Sequence, residues 1–216
     1  MTNFARELLG SSPRHLVETY NLAEDFAEYS FAWPAATRLE LLNLRIVPSF
    51  LQLDPMIDKV HEQYTEAGGK SNPRGAKAAL ALRRHQRELV DSGAASPWVA
   101  YIGAGVLHRV VEEMPHVDAR DQLRHIKDHV RIDLADNEPP QGVLIVPEGL
   151  VPWQPTTVLY GGKRGAEVVG SYVESLGAPS SWSTDPDTLR ERSGIVRSMG
   201  ECALSAEASL ALIGSI

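Results

Sequence analysis

A chain of 216 residues with 43% hydrophobic and 23% charged side chains can bury one sizeable core, so one main domain is expected. A net charge of −7, with lysines and arginines scattered among acids, excludes a nucleic-acid surface over the whole domain, because neutralising phosphates takes clustered cations. No apolar run is long enough for a bilayer or a signal peptide, and one cysteine, Cys202, excludes an internal disulfide and fits a reducing cytoplasm.

In chain order, residues 3–9 and 15–29 read as short helices, split by Gly10-Ser11-Ser12-Pro13, where Ser12 can cap and Pro13 can start a helix. Acids at Glu18, Glu24, Asp25 and Glu28 do not suit a recognition helix, so residues 1–25 are expected to be a helical extension without a DNA-binding domain. Residues 35–45 read as a helix with Leu39 and Leu42 inward. Residues 46–51 then turn through Pro48. Another amphipathic helix covers 55–67 and is stopped by Gly68-Gly69.

The run 76–90 organises the rest. On a 3.6-residue wheel Ala78, Leu82 and Leu89 share a face with His85 and Gln86, while Arg83, Arg84 and Arg87 point towards water. An inward imidazole and amide each cost about 1–3 kcal/mol if left unpaired. Either neighbouring backbone satisfies them or they line an internal pocket.

Beyond Gly93, residues 98–102 have strand character, 103–111 form a short apolar segment, and 121–130 read as a helix with Leu123, Ile126 and Val130 inward. Strand-like runs follow at 131–134, 143–147, 156–160 and 167–174. Helices at 185–199 and 205–213 close the chain, with capping signals at Thr184 or Asp185 and at Ser205. The expected class is α+β: N-terminal helices packed on a mostly antiparallel sheet, closed by C-terminal helices, with 26–216 forming a single ligand-pocket domain.

Several pieces in this order carry a resemblance. They are Val47-Pro48-Ser49-Phe50-Leu51-Gln52-Leu53 after a predicted helix, His85-Gln86 on the central helix, Gln122-Leu123, Tyr172-Val173-Glu174, and Ala203-Leu204-Ser205 running on to Ile213. From about Phe26 to Ile213 the chain resembles the antitoxin-like domain of unknown function that follows the helix-turn-helix in many actinobacterial Xre-type regulators. It departs from that pattern at two places. His85 stands where the family has an arginine before glutamine, and Ala104-Gly105-Val106-Leu107 stands where a Glu-x-x-Leu is usual. The paired loss implies a changed interior. The resemblance implies a ligand-sensing or antitoxin-like interaction protein.

The candidate chemistry centres on His85 and Glu174 as catalytic residues. Tyr172 and Glu174 share a strand face, and a histidine near a carboxylate can serve as acid or base; the plain alternative is a structural buried pair. Gln86, Glu40, Gln52 and Tyr101 are candidate polar contacts for the same pocket. Trp98 and Trp153, with Trp33 and Trp182, supply aromatic walls or are core residues. His125 and His129 stand at i, i+4, a spacing that can hold zinc, but the wheel turns both to solvent and no further ligand is evident, so no metal is expected. Gly161-Gly162-Lys163-Arg164-Gly165 lacks phosphate-loop spacing and reads as a hairpin turn. These readings point to a cofactor-free biosynthetic enzyme using acid–base catalysis to condense or cyclise an aromatic, amine-bearing substrate. The alternative is the regulator-type sensing protein. Either would take a small-molecule ligand without binding nucleic acid or membrane directly, and an apolar C-terminus hints at a homodimer.

Overall fold

The computed structural model describes residues 3–66, 72–130, 141–149, 154–162, 166–174 and 180–216. The predicted strand at 131–134, Trp153 and residues 163–165 of the glycine-rich turn lie outside the described residues.

Helix α1 (Asn3–Leu9) is followed by α2 (Pro13–Tyr20) and α3 (Glu24–Ala32). Ser12 caps α2 by accepting from the His15 backbone N–H at 3.2 Å. The single helix expected over 15–29 is instead two, because Asn21 turns left-handed at φ 53° and ends α2. A 3-10 turn, Trp33–Ala35, then leads into β1 (Arg38–Asn43).

That strand corrects the helix expected over 35–45. Leu39-Glu40-Leu41-Leu42 is a short apolar run, and periodicity alone cannot separate a buried strand from a buried helix in such a run. Its neighbours decide the matter. β1 pairs in parallel with β2 (Trp98–Gly103) and antiparallel with β4 (Thr156–Gly161), so its backbone groups are bonded on both sides. The described strands make one six-stranded sheet in the order β3-β2-β1-β4-β5-β6, with β3 spanning Gly142–Val146, β5 Glu167–Val173 and β6 Ser181–Ser183. Pairing is parallel along β1-β2-β3 and antiparallel from β1 through β4 and β5 to β6. The fold is α+β.

After β1, a 3-10 turn at Ser49–Leu51 leads to α4 (Asp54–Glu66) and α5 (Pro73–Asp91). The apolar segment after β2 is a helix, α6 (Ala104–Glu113), followed by α7 (His116–Asp128). α8 (Pro186–Glu201) and α9 (Ala206–Ser215) end the chain. The caps expected at Asp185 and Ser205 both form.

Alternation along the strands gives the sheet two apolar faces. Leu39, Leu41, Trp98, Ala100, Ile102, Val143, Ile145, Leu159 and Tyr172 face one core with Tyr29, Trp33, Phe50 and the α6–α7 side chains. Leu42, Val99, Tyr101, Val146, Val158 and Tyr160 face a second core with Val196 of α8. A third cluster joins Leu8 and Leu16 of α1 and α2 to Ala78 and Leu82 of α5. The N-terminal extension is therefore docked on the domain. Among the described residues no helix is long and apolar enough to cross a membrane.

Candidate functional site

His85 and Gln86 are inward, as the wheel predicts, and only 5% and 4% exposed. One polar atom of each stays unsatisfied. Nδ1 of His85 and Oε1 of Gln86 are buried with no hydrogen-bond partner, and the nearest acid to the imidazole is Glu88, 4.0 Å away on the same helix. Burial holds the His85 pKa below its ordinary value, so the ring is neutral at pH 7. Gln52 donates from Nε2 to the Val47 carbonyl at 2.7 Å, yet its Oε1 is unpaired, as is the indole nitrogen of Trp33. These groups come from elements that meet. α5 packs on the Ser49–Leu51 turn, Arg87 of α5 donates to the Gln52 carbonyl at 2.8 Å, and the Trp33 and Phe50 rings lie 6.1 Å apart.

Beside this interface, a narrow crevice runs between α3, the Pro48-Ser49 turn and the ends of β4 and β5. Tyr29, Asn43, Thr157, Tyr172 and Glu174 line it. Tyr29 stacks on Tyr172 at 4.3 Å with planes 10° apart, and its hydroxyl is hydrogen-bonded to Thr157. Burial pushes both tyrosine pKa values far up, and the Glu174 charge adds to the shift, so both stay neutral donors. The open space is about 10 Å³, room for one water.

Glu174 corrects the expected catalytic pair. Its carboxylate accepts from Arg83 of α5 at 2.8 Å, not from His85. Positions 83 and 85 stand about 200° apart around a helix, so one strand end cannot meet both. Arg83 was expected in water; its side chain is 20% exposed and also lies over the Phe26 ring at 5.9 Å. Arg84 and Arg87 likewise bond Asp54 at the start of α4. α5 is enclosed on more sides than its sequence suggests, because the N-terminal helices, the turn and β5 all close on it.

Two other expected pocket residues face the wrong way. Glu40 sits on β1, not on a helix, and points to the second core. There it pairs with Arg38 and accepts the Tyr160 hydroxyl at 2.6 Å. Tyr101 faces that same side, against α8, where a Cβ at Gly200 would come within 2.7 Å of its ring. The strand alternation that puts Tyr172 in the crevice excludes both.

Among the described residues, the tryptophans do not form one wall. Trp98 packs edge-on to Phe50 at 5.1 Å, in the core, while Trp182 lies on β6 with its ring over Gly170. Gln122, part of the resemblance, has a structural role: it donates to the Leu51 carbonyl and accepts from the Leu53 N–H, both at 2.8 Å, clamping the turn to α7.

His125 and His129, expected in solvent, are largely covered, with side chains 16% and 14% exposed. Asp91, at the end of α5, stands beside them. Sequence reasoning missed Asp91, Arg83, Tyr29 and Asn43 alike. Only the mixed positioning of an aromatic at 29 on an otherwise acidic helix gave any local signal.

Fold and site together describe an α+β domain that carries buried, unpaired polar atoms on the central helix, on the turn after β1 and at Trp33. Residues 27–215 match the profile of the family described as Domain of unknown function (DUF5753), and the chain belongs to that family. No curated protein and no solved structure matches the chain.

Proposed function

We propose that this is a small-molecule-binding domain whose ligand enters between α5, the Val47–Leu53 turn and the Tyr29–Tyr172 crevice. The observation that carries the reading is a set of buried polar atoms without a hydrogen-bond partner on α5, on the turn and at Trp33: Gln86 Oε1, Gln52 Oε1 and Trp33 Nε1, with His85 Nδ1 on the α5 stripe shared with Ala78 and Leu82, towards the N-terminal helices. Each such group costs about 1–3 kcal/mol, so each is a candidate contact for a ligand that offers it a partner. The two amide oxygens accept, while the Glu174 carboxylate is already paired with Arg83, so a ligand that brings hydrogen-bond donors, such as an amine with an aromatic or apolar body, fits these atoms.

The crevice holds only a water-sized space, so binding requires α3 or the Pro48 turn to shift outward. A ligand that selects an opened state changes the surface around the turn. That coupling suits a ligand-sensing, regulator-type interaction protein of the cytoplasm, the class that the family resemblance implies. A second reading rests on His85. A neutral, buried imidazole can serve as a general base, which would make the His85 side of α5, away from Glu174, the site of a cofactor-free acid–base enzyme condensing or cyclising an aromatic amine.

A thermal-shift screen of aromatic amines against the intact chain tests binding, followed by calorimetry of the hits. Gln86→Leu is expected to raise Tm without ligand, by removing an unsatisfied amide, and to weaken the best hit at least tenfold. An affinity unchanged in Gln86→Leu and in Glu174→Gln would overturn the assignment. Product formation that is lost in His85→Ala, with binding retained, would select the catalytic reading.

A further inference from the structure

The far end of α5 carries a second constellation, eight residues on from Arg83 and thus about 12 Å along the helix from the crevice contact. Asp91 is the last residue of α5, and His125 and His129 lie one turn apart at the C-terminal end of α7. A single carboxylate oxygen, Oδ1 of Asp91, lies 3.2 Å from Nε2 of His129 and 3.8 Å from Nε2 of His125. One ligand atom from each of the three residues lies within 4.8 Å of the others. The two imidazoles stand perpendicular, 89° apart, with centroids at 4.9 Å.

A hydrogen bond between His129 and Asp91 accounts for only part of this arrangement. Nε2 of His125 is buried and has no hydrogen-bond partner, although it is turned to the same oxygen. One proton can bridge one nitrogen to the carboxylate, but it leaves the second imidazole unserved. A cation at the centre would serve all three. Two donors on a tetrahedral zinc, at 2.0–2.1 Å from the metal, lie about 3.3 Å apart. The 3.2 Å separation already matches, the 3.8 Å one needs a contraction of about 0.5 Å, and the two imidazole donors, within 4.8 Å of each other, must also close in.

We propose that Asp91, His125 and His129 form a site for a first-row divalent transition metal, zinc in the first instance. Two nitrogens and a carboxylate suit this class rather than calcium or magnesium. The imidazoles are inside, while the Asp91 side chain is 44% exposed, so the remaining coordination position opens to solvent. Three protein ligands with an open position is the arrangement of metal sites that bind a water or a further ligand. Trp98 packs against His129 at 5.7 Å and fixes that ring in place.

The surrounding charges favour occupancy. Asp128, next to His129, adds negative charge nearby. Arg87 is the adjacent cation, but its guanidinium is tied to the Gln52 carbonyl and to Asp54.

The intact, untagged chain, stripped with chelator, is titrated with zinc by calorimetry and with cobalt(II) by visible absorption. One equivalent is expected, with the absorption of low-coordinate cobalt and a zinc-dependent rise in Tm. His125→Ala and His129→Ala should each weaken binding at least tenfold. Asp91→Asn changes a half-exposed side chain, so it should keep the fold and still weaken binding. Absence of a bound equivalent would overturn the site. Retention of the full equivalent in Asp91→Asn and His129→Ala would also overturn it, assigning the metal to other residues of the chain.

Discussion

Burial without a proton partner governs how His85 responds to pH. Its folded pKa is held below the ordinary 6.5 by burial, so the unfolded chain takes up a proton first as pH falls. The stability contributed by the neutral ring is complete above about pH 6.5 and is lost as pH drops from there towards the depressed folded value. His125 is shifted the same way, chiefly by burial. Tm is therefore expected to be level from pH 7 to 8 and to decline below 6.5. His85→Leu should flatten part of that decline, and a wild-type profile with no slope between pH 6.5 and 5 would contradict it. The inward placement of His85 and Gln86 was legible from helical periodicity, because burial of a face is a local property of spacing. That His85 Nδ1 and Gln86 Oε1 stay unpaired was not, since it depends on what the opposing elements fail to offer.

At the scale of elements, the break between α2 and α3 rests on one residue. Asn21 holds a left-handed conformation that asparagine tolerates and most side chains do not. Asn21→Ala is expected to cost about 1–2 kcal/mol, whereas Asn21→Gly should be close to neutral, read by denaturant unfolding. Equal losses in both would mean that the asparagine side chain, not the backbone, matters. The helix ends at Ser12, Asp185 and Ser205 could be read in advance because a cap is a contact across three residues. The strand at Arg38–Asn43 could not. Its identity came from partners about 60 and 120 residues away, at Trp98 and Tyr160.

The whole molecule folds its N-terminal helices into the same unit as the sheet. Leu16 is fully buried in the cluster with Ala78 and Leu82 of α5, and Asn72 at the start of α5 donates to the Tyr20 carbonyl at 2.9 Å. Leu16→Ala is expected to cost about 2–5 kcal/mol while preserving a single cooperative transition. A separate low-temperature transition for the N-terminal helices would show that they are an independent layer. Because α5 touches those helices, the crevice and the Asp91 cluster, loosening its N-terminal packing should also weaken ligand and metal binding.

The amino-acid sequence alone determined the α+β class, most helices with their caps, four of the strands and the inward face of the central helix. All of these follow from periodicity and capping within a few residues. Tertiary structure alone decided which chemistry meets which. Arg83 reaches Glu174 across 91 positions in place of His85, Glu40 and Tyr101 turn to the opposite side of the sheet, and Asp91 joins two histidines more than 30 residues on. Such meetings are set by strand order and by the angle of one helix on its neighbours, and no local pattern records either.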